Sequence, residues 1–129
     1  MATLFSEIVK GDIPCHKVAE TDEFLAFLDI MPVKRGHVLV IPKTEIDYIF
    51  DVEDDVLGRM MVFSKMVAGK VKSAFPCKRI GVTVIGLEVP HAHIHLIPID
   101  KLDDMNFAKP KLELSKDELT DIANRISNS

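Results

Sequence analysis

The chain of 129 residues has no tryptophan, one tyrosine and two cysteines. Cys15 and Cys77 lie far apart and form no C-x-x-C pair, which argues against a disulfide framework or a paired-thiol metal knuckle. They are expected to be reduced structural thiols. The sequence also lacks an apolar run of about 18 residues and a charged-then-apolar leader, so neither a membrane span nor a secretory signal is expected. A cytoplasmic protein follows from these readings. Positive charge is not in surplus: 16 Lys and Arg stand against 20 Asp and Glu, for a net charge of -4 and a pI near 5.7. That balance argues against nucleic-acid and membrane-surface partners. Repeats and low-complexity tracts are missing too. A hydrophobic share of 47% supplies a core for one domain spanning 1–129.

What is abundant is histidine in one place. The stretch HAHIHLIPI gathers His91, His93 and His95, three of the five histidines in the chain. Alternation of period two reads as a strand over 91–97, with the imidazoles on one face about 6.5 Å apart. A single buried histidine is commonplace. A row of three is not, because neutral imidazoles cost desolvation and pack no better than Val or Thr. Two chemistries remain open. One is a metal site using His91, His93 and, from the head of HVLVIP, His37. The other is nucleophilic and acid–base catalysis at phosphorus, with one imidazole attacking, a second group holding its tautomer and a third protonating the leaving group.

The remaining pattern predicts an α+β domain. Leu4, Phe5, Ile8 and Val9 give a short helix over 3–10, ended by Gly11. Strands are expected over 15–20, 24–29, 37–42 and 79–85. A long helix is expected over 53–75, with a core stripe of Val56, Leu57, Met60, Phe63, Val67, Val71 and Ala74. Ser115 and Glu118 form a capping box that starts a helix over 116–127. Residues 100–106 read as an acidic loop, and 107–114 carry no clear pattern. Short connections favour antiparallel neighbours.

HAHIHLI fits H-φ-H-φ-H-φ-φ, with φ apolar. Together with LFSEIVKGDIP and FLAFLDIMPVKRGHVLVIPK it resembles the histidine triad (HIT) superfamily, in particular the Hint branch and its bacterial relatives. The resemblance runs from Thr3 to Ile99 and more loosely to the C-terminal helix. It implies the HIT fold: a five-stranded antiparallel sheet, one long helix, a short N-terminal helix and a C-terminal helix, with a core over 3–99 and an extension over 100–129. It also implies a nucleotide hydrolase or transferase acting on the α-phosphorus of a nucleoside phosphoramidate or related nucleotide, without a cofactor, in a homodimer whose two sheets join. Carried over, His93 is the nucleophile, and His95 contacts the phosphate and assists the leaving group. His91 and His37 orient the pair. Asp29 binds the ribose, and Phe5, Ile8, Phe27 and Ile30 sandwich a base, most readily a purine.

Two departures stand out. Many bacterial relatives carry a structural zinc on a C-x-x-C pair, a histidine after the P-K and the first triad histidine. Here Thr3, Ser6 and Glu45 take three of those positions and His91 alone remains, so no metal is expected. The loop before the triad is also short. Val84 stands near the family's Asn, and Glu88 near its phosphate-gripping Ser or Thr. Glu88 is therefore expected either at the nucleotide, where it would raise the pKa of a histidine such as His95, or in solvent. A nucleotide-binding regulatory domain with little turnover is the alternative that this loop keeps open.

Overall fold

The computed structural model describes residues 3–129. Helix α1 (Leu4–Lys10) opens the fold. The Thr3 hydroxyl caps it by accepting the Ser6 N–H, which satisfies one of the free donors of the first turn. Gly11 ends it at φ 86°, a left-handed position that glycine takes without a Cβ clash. Strands β1 (Lys17–Glu20), β2 (Phe24–Leu28) and β3 (Val38–Pro42) follow. Then come helix α2 (Asp54–Ala74), strands β4 (Arg79–Thr83) and β5 (Ile94–Ile99), and helix α3 (Lys116–Ser127).

The strands form one sheet in the order β1-β2-β3-β5-β4, antiparallel throughout. Its two faces carry separate apolar clusters. Val38, Val40, Ile94 and Leu96 face α2 and α3 and join Met60, Phe63, Val67, Val71, Ile122 and Ile126. Leu25, Phe27, Leu39 and Ile41 face the other way and pack on Phe5 of α1. The central strands are thus buried on both sides, which is why β2 and β3 read as nearly continuous apolar runs. The expected stripe of α2 holds, with Val56 and Leu57 only partly buried at its start. Ser115 and Glu118 form the capping box of α3 as expected.

Two expectations need correction. The histidine strand begins at Ile94 rather than at His91. The His91 N–H donates to the Val89 carbonyl at 2.8 Å, and the Ala92 N–H to the Ile46 carbonyl at 2.6 Å. Loops therefore capture the donors that a ladder would need. Residues 100–106 are also not all loop: Leu102–Met105 form a 3-10 turn. Beyond it the chain runs without regular structure to Ser115, and the Leu112 N–H donates to the Pro32 carbonyl at 2.9 Å. Among the described residues no helix is long and apolar enough to cross a membrane.

Candidate active site

The imidazoles collect on the α1 face of the sheet, at the β3–β5 seam. His95 pairs with Leu39 across that seam and with Thr83 of β4. His37 precedes β3 and is positioned by Gly36, whose φ of 90° is left-handed. A Cβ there would also meet Phe75 at 3.1 Å and Pro98 at 3.2 Å, so the turn into His37 needs glycine. His37 and His91 are at most 1% exposed, and His93 and His95 are 7% exposed. The rings lean together: His93 and His95 have centroids 4.9 Å apart, closer than an ideal strand row.

Hydrogen bonds fix which nitrogen of each ring carries a proton. The Val33 N–H donates to His37 Nδ1 at 3.2 Å, so a neutral His37 is protonated on Nε2. That Nε2–H donates to His95 Nδ1 at 2.9 Å, which leaves the proton of His95 on Nε2. His93 Nδ1 donates to the His91 carbonyl at 2.7 Å, which leaves an Nε2 lone pair. His91 Nε2 donates to the Pro42 carbonyl at 2.7 Å, and its Nδ1 accepts from the Thr3 hydroxyl at 3.1 Å. The result is a free acceptor on His93 beside a donor on His95.

Burial keeps the relay neutral. Desolvation, followed by repulsion from His95, holds the His37 pKa down at about 3. Desolvation and then His93 lower His95 to about 4. The expectation that Glu88 raises His95 toward neutrality is therefore wrong. Glu88 is exposed, and its charge acts on Asp29 instead. Burial pushes the Asp29 carboxyl up, opposed by the Met31 N–H that donates to it at 2.9 Å and by the charges of His93 and Lys111. Asp29 comes within 3.7 Å of His37 Nε2, too long for a hydrogen bond, and the neutral ring makes no ion pair with it.

Phe5 and Phe27 meet edge to face at 5.5 Å, and Phe5 also meets His93 at 5.1 Å and His91 at 5.9 Å. Ile8 packs at the margin of the same cluster. Ile30 is 63% exposed and stands outside it. Two residues escaped the sequence reading. Phe107 sets its ring against His95 at 5.0 Å and His37 at 6.0 Å, and Lys111 bonds the Phe107 carbonyl and lies over that ring at 5.5 Å. Both come from a segment with no periodicity to announce it.

Two clusters contain residue types that can bind a metal. Asp29, His37 and His95 each offer a ligand atom, all within 4.8 Å of one another. The His37 nitrogen in that set carries a proton committed to His95, so the group fits a hydrogen-bonded relay rather than a cation. Thr3, Ser6, Glu45 and His91 also converge. The Thr3 and Ser6 hydroxyls are 3.0 Å apart, Ser6 bonds Glu45, and the Thr3 N–H donates to Glu45 at 3.0 Å. Two neutral hydroxyls, and an imidazole with both nitrogens in use, do not make a zinc ligand set. Among the described residues, the trio of His91, His93 and His37 does not bring its ring nitrogens together in the way that Asp29, His37 and His95 do.

Residues 10–102 match the HIT domain family. The chain belongs to the HIT family. A curated relative, adenosine 5'-monophosphoramidase hnt1 of Schizosaccharomyces pombe, is 32% identical over 99% of this chain and 98% of its own length. A HIT-like protein of Bartonella henselae has the same fold at a TM-score of 0.85 and 28% identity, over 98% of this chain and 94% of that one. A zinc-bound histidine triad protein of Mycobacterium smegmatis follows at a TM-score of 0.81 and 25% identity, over 99% and 95%. The five-stranded antiparallel sheet and three helices of this HIT chain agree with those neighbours.

Proposed function

We propose that this HIT chain hydrolyses a nucleotide at its α-phosphorus through a covalent intermediate on His93. One observation carries the reading: His93 presents an Nε2 lone pair while its Nδ1–H is held by the His91 carbonyl, next to a His95 whose Nε2 bears the proton. His93 Nε2 forms the bond to phosphorus as the bond to the leaving group breaks. His95, protonated beside the bound phosphate, gives its Nε2 proton to the leaving atom. The anion supplies the counter-charge that favours the imidazolium despite burial, and the proton taken up on Nδ1 displaces the hydrogen bond from His37. Water then attacks the nucleotidyl-histidine, its proton returns to His95, and His93 leaves with its lone pair restored. Asp29 holds the ribose, and Phe5, Ile8 and Phe27 form the apolar wall for a base, with Ile30 at its open rim.

The S. pombe relative supports an adenosine phosphoramidate as first substrate. Assayed on it, His93→Ala is expected to lose about 10³-fold or more in rate while still binding AMP. Mass spectrometry of a single-turnover mixture is expected to find the nucleotide on wild-type His93. Activity that survives in His93→Ala removes His93 from its role.

A second reading, nucleotide binding with little turnover, is favoured by the loop over 84–90, whose side chains offer no hydroxyl or cation. Binding without a trapped adduct would select it. Both cysteines are free, which supports a reducing compartment such as the cytoplasm. A homodimer is supported by exposed Met61, Val62 and Met66 on α2 and by Val82 on the edge strand β4, whose outer backbone can pair with a second copy.

A further inference from the structure

The site as built has a charge problem. An α-phosphate arriving at His93 meets imidazoles kept neutral by burial, the carboxyl of Asp29 and, at the mouth, the charge of Glu88. The loop over 84–90 gives no side-chain donor to offset this. Bringing an anion into such a place is favoured by a cation already held there before any imidazole is protonated.

The segment after the 3-10 turn brings one. It is tied down by the Leu112 N–H on the Pro32 carbonyl and by Leu114 against the main core. Phe107 stands edge-on to both His95 and His37. Lys111 is anchored to the Phe107 carbonyl and ring. An ammonium has three protons, and that carbonyl takes one. Among the described residues no carboxylate pairs with Lys111. Its charge is nonetheless felt at both Asp29 and His37.

We propose that Lys111 is the cation that holds the phosphate of the bound nucleotide, delivered over the imidazoles by the C-terminal segment in place of donors from the loop before the triad. The proposal rests on the nucleotide reading above. It makes Lys111 a specificity residue for the phosphate and Phe107 the residue that positions it. The ligand class it selects is a nucleotide rather than a nucleoside.

Calorimetric titration of the full chain with AMP and with adenosine tests it. Lys111→Met is expected to weaken AMP about tenfold or more, the loss of one charge-assisted hydrogen bond, and to leave adenosine unchanged. Lys111→Arg is expected to keep most of the AMP affinity, and melting temperatures of both variants report folding. Equal weakening of AMP and adenosine would make the segment merely structural and overturn the proposal. So would unchanged AMP binding in Lys111→Met, while the nucleotide reading stood. If the wild type binds neither ligand, the nucleotide reading fails and the proposal falls with it.

Discussion

Lowering the pH from 7 to about 5 protonates free histidines but not the buried pair of His37 and His95. Their pKa values in the folded chain are about 3 and about 4, against 6.5 for an ordinary histidine. Between those limits the unfolded chain binds more protons than the folded one, so stability falls as pH falls. At pH 5 each histidine costs about 2 kcal/mol relative to neutral pH, from one and a half pH units at about 1.4 kcal/mol per unit. The two together remove roughly 4 kcal/mol, a large part of the stability of an ordinary domain. The cause is geometric. A second proton on His95 would sit on Nδ1 and point at the Nε2–H of His37 across 2.9 Å. A second proton on His37 would face the Val33 N–H. Either way two donors confront each other in a buried place.

Urea unfolding at about pH 7 and pH 5 measures this directly. Carboxylates with lowered pKa values, such as Glu20 and Glu23, add their own loss only in more acidic solution. The raised carboxyl of Asp29 acts in the opposite direction. Stability that is equal at the two pH values, or higher at pH 5, would refute the neutral relay. Replacing both histidines with glutamine is expected to remove their share of the slope, because an amide does not titrate, and to leave that of His91, whose pKa burial also lowers.

His37→Leu leaves the Val33 N–H and His95 Nδ1 without partners and is expected to cost about 2–5 kcal/mol of stability. It also frees the tautomer of His95, so kcat should fall more than nucleotide affinity, and His37→Gln should recover part of it. Thr3→Val removes the donor to His91 Nδ1 together with the cap of α1, for about 2–4 kcal/mol by thermal unfolding. Purified protein is expected to hold no stoichiometric zinc and to keep its melting temperature with chelator present; one tight zinc per chain would overturn the ligand argument. Light scattering is expected to give twice the chain mass of 14.4 kDa, and a monomer at micromolar concentration would refute the dimer.

Much of the fold was legible because it rests on periodicity. The apolar runs of β2 and β3, the alternation leading into β5, the stripe of α2 and the capping box at Ser115 are local signals, and each led to the right element. The histidine strand was placed three residues early because alternation reports side-chain direction, not backbone pairing. His91 and Ala92 alternate well, but their N–H groups bond to Val89 and Ile46. The candidate site was half legible. The imidazole row announced itself, whereas the bond from His37 to His95 joins positions 58 residues apart and is not written in any local pattern. Phe107 and Lys111 lie in an irregular segment and were invisible for the same reason. The neutral state of His95 was missed because it comes first from burial, and burial is a property of the assembled sheet.

The cluster of Thr3, Ser6, Glu45 and His91 has a positioning task that its hydrogen bonds define. In this chain the carbonyl of His91 holds His93 Nδ1, so the backbone at His91 sets the aim of the proposed nucleophile. Fixing that carbonyl requires fixing the His91 ring. The chain does so from both ends, with Nε2 on the Pro42 carbonyl and Nδ1 on the Thr3 hydroxyl. Thr3 is in turn held by its position at the head of α1 and by Glu45. The same contacts tie α1, which carries Phe5, to the loop after β3. A polar network can therefore position His93 and the apolar wall together. Its weak point is the exposed Glu45, whose carboxyl is held below its usual range by Ser6 and Thr3 but remains open to solvent screening. The buried link between Thr3 and His91 thus bears more of the positioning than the exposed one, so loss of the Thr3 hydroxyl should disturb catalysis more than loss of the Glu45 carboxylate.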